Sequence, residues 1–192
     1  MSYNIGDKVV YPMHGAGIIE SIEEKKILSE KQKYYIMRMP IGDMRVMVPT
    51  DNILEIGIRD VIEKNEALAV IEAFKEYGDD NNANWSGRYR ENMLKIKTGD
   101  VLEVAYVVKT LMLRDKRKGL STGERKMLNT SKQILISELA LAQIDSPENI
   151  DELLASIVQD EVSNKDSDTA AEHIPTDTNE AAESENLVAA DK

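Results

Sequence analysis

The chain has 192 residues, with 42% apolar and 31% charged content and a formal net charge of −11, a size that suits one ordinary domain or two small ones. It holds no cysteine and only two histidines, His14 and His173, which excludes disulfides, thiolate metal sites and cysteine nucleophiles. No apolar run reaches the roughly 18 residues of a membrane span, and residues 1–8 lack the pattern of a secretory signal, so a cytoplasmic protein is expected.

Residues 7–57 read as short strands. Lys8-Val9-Val10-Tyr11 stops at Pro12, and Gly17-Ile18-Ile19 leads towards Ile22 after the glycine-rich turn His14-Gly15-Ala16-Gly17. Residues 34–39 alternate Tyr35, Met37 and Met39 with Tyr34, Ile36 and Arg38, and Pro40 ends the strand because proline cannot donate to a ladder. Ile41-Gly42-Asp43 spells a hairpin turn. The strand after it, 44–48, alternates Met44, Val46 and Val48 with Arg45 and Met47, and 53–56 closes the set. Five strands in so few residues suit a small, strongly bent β-barrel, which solves the problem of open edges.

After Gly57 the apolar period becomes helical. Ala67, Val70, Ile71, Phe74 and Tyr77 define a first helix, stopped by Gly78 and the polar run 79–83. Asn84 caps a second, with Trp85, Tyr89, Met93 and Ile96 on one face. Asp100 caps a third, with a stripe of Val101, Val104, Ala105, Val108, Leu111 and Met112 that ends near Gly119. Ser121-Thr122-Gly123-Glu124 spells a capping box for a fourth, carrying Leu128, Leu135, Leu139 and Ala142. Pro147 opens the last, which holds Ile150, Leu153, Leu154 and Ile157. The expected class is α+β: a barrel at 1–59, an all-α domain at 60–158, and a disordered acidic tail at 159–192 too poor in large apolar residues to order itself.

The net charge conceals an uneven distribution. Residues 1–60 hold 8 Lys/Arg against 9 Asp/Glu, residues 81–135 hold 12 against 5, and residues 160–192 hold 2 against 10. The tail is either a solvating segment or an acidic competitor for the basic one. Arg114, Lys116, Arg117 and Lys118 close the third helix, where the dipole favours cations, whereas Arg125 and Lys126 open the fourth, where it does not. That mismatch suits an outside anion. With Arg88, Arg90, Lys95 and Lys97, these residues could hold phosphates without reading sequence; a solvated basic surface has the same spelling.

Trp85 is the only tryptophan. It either seals the edge of the helical core with Tyr89 or stands exposed beside Arg88 and Arg90 as a wedge for a minor groove. The outward half of the hairpin, with Met47 and Tyr34, suits pairing with a partner protein or packing against the helices. No phosphate-loop spelling occurs, His14 has no second ligand near it, and Glu23/Glu24 and Asp79/Asp80 look like solvated loop charges with no nucleophile or base beside them. No enzyme, metal, cofactor or small-molecule ligand is expected.

Gly6-Asp7-Lys8-Val9-Val10-Tyr11-Pro12-Met13-His14-Gly15, the Gly42 hairpin leading to Val48-Pro49, and Gly57-Ile58-Arg59-Asp60 resemble the amino-terminal module of the CarD/CdnL regulators of bacterial RNA polymerase. Asn84-Trp85-Ser86-Gly87-Arg88-Tyr89 and the run from Gly119 to Leu128 resemble the helical half of the same family, so the likeness covers about residues 1–158. It implies a Tudor-like (SH3-like) barrel that docks on the polymerase β subunit through Arg45, Val46, Met47 and Val48. It also implies a helical domain that meets promoter DNA at the upstream edge of the transcription bubble. On that reading Trp85 is the minor-groove wedge, and Arg88, Arg90, Arg125 and Lys126 hold the DNA. Gly87 and Met47 stand where relatives often carry basic residues. The implied activity is stabilisation of open promoter complexes without catalysis, in the cytoplasm and at the nucleoid; the rival is an adaptor whose helical domain binds another protein.

Overall fold

Alternating apolar residues in the first sixty positions build a five-stranded antiparallel sheet of β1 (Lys8–Tyr11), β2 (Gly15–Ile27), β3 (Glu30–Arg38), β4 (Arg45–Pro49) and β5 (Arg59–Asp60), in the order β4-β3-β2-β1-β5. The structure, a computed structural model, describes residues 2–27, 30–78 and 84–171. Val9, Ile19, Tyr35, Met37 and Val48, drawn from four strands, meet in one core with Tyr3, Ile53 and Ile58. For β4 at one end of the order to share that core with β1 and with Ile58, which leads into β5 at the other end, the sheet must curl, giving the expected small, bent barrel.

Two strand boundaries differ from expectation. Residues 53–56 form not the closing strand but a turn of helix, α1 (Ile53–Ile56), after a 3₁₀ turn at Thr50–Asn52. Gly57 ends α1 in the left-handed region at φ 81°, its N–H donating to the Ile53 carbonyl at 3.1 Å, and the fifth strand follows at Arg59. Ile53 is buried while Leu54 is 75% exposed; four residues are too few for period to separate strand from helix. Strand β2 also runs on through Glu23 and Glu24, so these acids are strand and not loop residues, and Glu24 pairs with Lys31 across the ladder at 3.1 Å.

The remainder is helical: α2 (Lys64–Glu76), α3 (Trp85–Thr98), α4 (Val101–Lys118), α5 (Thr122–Leu141) and α6 (Pro147–Ala171). No helix among the described residues is long and apolar enough to cross a membrane. The expected caps form: Asn84 accepts from the Gly87 amide, Asp100 from the amides of Leu102 and Glu103, and Ser121 and Glu124 close a reciprocal capping box. Helix α4 packs on α2, α3, α5 and α6. Its burial is therefore wider than one stripe and takes in Val107, Lys109, Thr110 and Leu113. Each fully buried Val or Leu here contributes about 2 kcal/mol of transfer free energy.

Helix α6 continues past the expected boundary at 158. Val158 is buried, Val162 packs on the helical core, and Glu161 lies 2.9 Å from the enclosed ammonium of Lys109, itself 5.2 Å from the centre of the Phe74 ring. Residues 159–171, expected as the start of the disordered tail at 159–192, are thus helical, and the rest of that tail from 172 onward, with His173, lies outside the described residues, as does the polar run 79–83.

Sheet and helices are fastened together. The start of β2 runs against α5, where a Cβ on Gly15 would fall 2.6 Å from Ser137 Oγ, and the Ala16 amide donates to that oxygen at 2.9 Å. Gly15 also has φ +104°, so only glycine fits there readily. Arg59 of β5 grips the buried Glu138 of α5 through two bonds, Nη1–Oε1 at 2.5 Å and Nη2–Oε2 at 2.9 Å, and also donates to the Gly99 carbonyl. Lys8 Nζ donates to the Leu141 carbonyl at 2.7 Å.

Candidate nucleic-acid and protein-docking surfaces

The polar cap of α3 sets Trp85 at the first helical position, beyond the end of the buried stripe. The residue is 48% exposed. One face stacks on Tyr89, with centroids 5.6 Å apart and planes at 29°, and the indole N–H donates to Ser121 Oγ at 3.1 Å. Trp85 thus has features of both expected readings, an aromatic partner in Tyr89 and about half of its surface open to solvent.

Arg88 corrects the expectation. It is 3% exposed, facing inward at the helical spacing shared with Asn92 and Ile96, and its Nη2 pairs with Glu124 Oε1 at 3.1 Å. A guanidinium enclosed in this way does not face a DNA backbone. Glu124 also lies 3.6 Å from Arg114 Nε and accepts from both the amide and the hydroxyl of Ser121. Burial pushes the Glu124 carboxyl upward, but the Ser121 bonds and the Arg88 and Arg114 guanidinium groups outweigh it and hold it below the usual carboxylate range. Sequence reasoning placed Ser121 and Glu124 only as a capping box; their link to Trp85 and Arg88 spans 36 residues and has no local signal.

The other cations are distributed more widely than expected. Arg125 is exposed near the ring's end of α5 but pairs with Asp115 at 3.3 Å, which answers its poor place in the helix dipole from within the molecule. Lys126 is exposed beside it. Arg90 is exposed too, about 140° around α3 from Trp85, so it flanks the ring rather than joining it. Lys116 bonds Gln159, and Lys132 pairs with Asp151. Gly87 leaves room for a larger residue, since a Cβ there would meet only the Asn84 side chain at ordinary distances.

On the sheet, β4 lies at one end of the strand order and among the described residues pairs only with β3. Met47 is 42% exposed and lies opposite Ile36, with Lys25 Nζ 3.1 Å from its sulfur; Arg45 is exposed and paired with Glu20 at 2.9 Å. Val46 packs on the edge of the core, and Val48 is fully buried. Only Arg45 and Met47 therefore present side chains outward, and Val46 and Val48 offer backbone. Tyr34 is buried, contrary to its expected outward place. A shallow groove of about 430 Å³ bounded by Glu20, Lys25, Ile36, Arg45 and Met47 crosses this face.

Residues 3–62 match the family model of the CarD-like/TRCF RID domain, and residues 69–155 that of the CarD C-terminal domain. Over 137 residues the chain is 48% identical to the "Putative transcription factor YdeB" of Bacillus subtilis (strain 168), an alignment spanning 71% of this chain and 90% of that protein. With both models matched in sequence along a bent sheet and a helical bundle, the chain belongs to the CarD/CdnL family of transcription regulators.

Proposed function

We propose that this chain is a non-catalytic regulator of transcription initiation that docks on the β subunit of bacterial RNA polymerase along the β4 edge and stabilises the open promoter complex with Trp85. The observation that carries the reading is an indole half-exposed at a helix start and braced on its other side by Tyr89 and Ser121. Such a ring can stack on an unpaired base or wedge into a minor groove, where apolar contact offsets the cost of unstacking. Arg90, Arg125 and Lys126 supply phosphate contacts around it, and Arg88 acts from inside the bundle. Strand β4 supplies an edge that is unpaired among the described residues and open to strand addition, with Met47 as the apolar contact beside it.

Docking explains how an acidic protein can act on DNA. Polymerase brings the helical surface to the promoter at high local concentration, so a weak site suffices. Only a difference in affinity between closed and open DNA shifts their balance: about 1.4 kcal/mol in favour of the open form changes the population ratio tenfold. Trp85→Ala is expected to shorten the open-complex lifetime with purified polymerase while leaving binding to the β subunit unchanged. Equal lifetimes for variant and parent reject the wedge. A footprint of the promoter complex with and without the chain separates this reading from a protein-only adaptor, which leaves protection at the bubble edge as it was.

A further inference from the structure

Trp85 is held by a hydrogen-bond chain that can run in only one sense. An indole N–H only donates and an ionised carboxylate only accepts. The Ser121 hydroxyl between them accepts from Trp85 Nε1 at 3.1 Å and from the Glu124 amide at 3.3 Å, and donates to Glu124 Oε2 at 2.8 Å. Every site on that hydroxyl is used. Glu124 is in turn tied to α3 through Arg88 and lies 3.6 Å from Arg114 of α4. The aromatic pair lies over the start of α5, where a Cβ on Gly123 would come 3.5 Å from the Tyr89 ring and 3.9 Å from that of Trp85.

We propose that Ser121, Glu124 and Arg88 are positioning residues that fix the orientation of the Trp85 ring at the junction of α3, α4 and α5, presenting its free face before any nucleic acid arrives. The use of that orientation rests on the reading of Trp85 as the group that meets opened DNA. A ring already immobilised gives up less rotamer freedom on binding than one that turns freely. Arg88 then serves the DNA contact through the bundle without touching DNA.

Because Trp85 is the only tryptophan, its fluorescence reports this ring alone. In the full-length free protein, Ser121→Ala is expected to add a fast, nanosecond component to the Trp85 anisotropy decay, and Ser121→Thr, which keeps the hydroxyl and the cap, is expected to restore the parent decay. Asp100→Ala removes a cap from α4 without touching the ring and is expected to leave the decay unchanged. In the polymerase assay Ser121→Ala should shorten the open-complex lifetime roughly threefold to tenfold, the factor expected from immobilising one side chain on binding. A parent-like decay in Ser121→Ala, or an equal change in Asp100→Ala, overturns the positioning role. If Ser121→Ala frees the ring but Trp85→Ala leaves the open-complex lifetime at the parent value, the positioning stands and the DNA reading of Trp85 falls.

Discussion

Arg88 carries its charge into the helical bundle, where Glu124, 4% exposed, meets it at 3.1 Å. Buried pairs of this kind add little net stability over an apolar substitute, yet breaking one leaves a charge without its partner and costs about 3 kcal/mol. Glu124→Gln should therefore lower the unfolding free energy at pH 7 by about that amount. The pH dependence fixes the cause. A carboxyl held below its ordinary value in the folded state contributes stability that is fully present above the unfolded value and is lost as pH falls through the folded one. The parent should lose stability as the solution is acidified below about pH 4.5, and the Gln variant, having no such group at 124, should lose less over that interval. Parallel acid limbs in denaturant titrations of the two proteins would remove Glu124 from the account.

Strand β4 alternates between solvent and core, and its two neighbouring residues Met47 and Val48 should respond oppositely to substitution. Met47 points outward beside Lys25 and Ile36, so Met47→Glu should leave the melting temperature within a degree or two of the parent while abolishing binding to the isolated β subunit. Val48 is fully buried, and Val48→Ala should cost about 2 kcal/mol by transfer and cavity terms. Calorimetric titration against the subunit with thermal melts separates the two effects, and retained binding by Met47→Glu would misplace the interface. That alternation was legible in the sequence, as were the caps at Asn84, Asp100 and Ser121, because each rests on residues within a few positions of one another. Ile53-Leu54-Glu55-Ile56 was not: its apolar spelling suits a strand, and it is Gly57 in the left-handed region that makes it a helical turn. Nor was the inward turn of Arg88, which depends on a carboxylate 36 residues away. The charged run after Ile22 hid the length of β2 because its ions pair along and across the ladder, which a reading of hydrophobic alternation does not register.

The distance between the β4 edge and Trp85 is set by how the sheet sits on the bundle. That seat has polar fastenings at Arg59–Glu138, Ala16–Ser137 and Lys8–Leu141, together with the close approach of Gly15 to α5. Glu138 is 1% exposed and also lies 3.4 Å from the Ile62 amide in the stretch joining β5 to α2, so its carboxylate locks both the strand and the connection. If polymerase docking works by holding the indole near the bubble, the benefit depends on the link being stiff, since effective concentration falls once the joined parts can wander. Glu138→Ala should leave each core intact but loosen the seat. In denaturant, the single coincident transition of the parent should divide into one followed by Trp85 fluorescence in the bundle and another followed by the resolved NMR ring signals of Tyr3 and Tyr35 in the sheet core. With polymerase, the variant should bind the β subunit as the parent does and yet form shorter-lived open complexes, because the address survives while the reach becomes imprecise. Coincident transitions in the variant would mean that the remaining contacts hold the seat without Glu138, whereas divided transitions with an undiminished lifetime would mean that the two halves act as independent modules on a tether, with polymerase and DNA alone setting their relative placement.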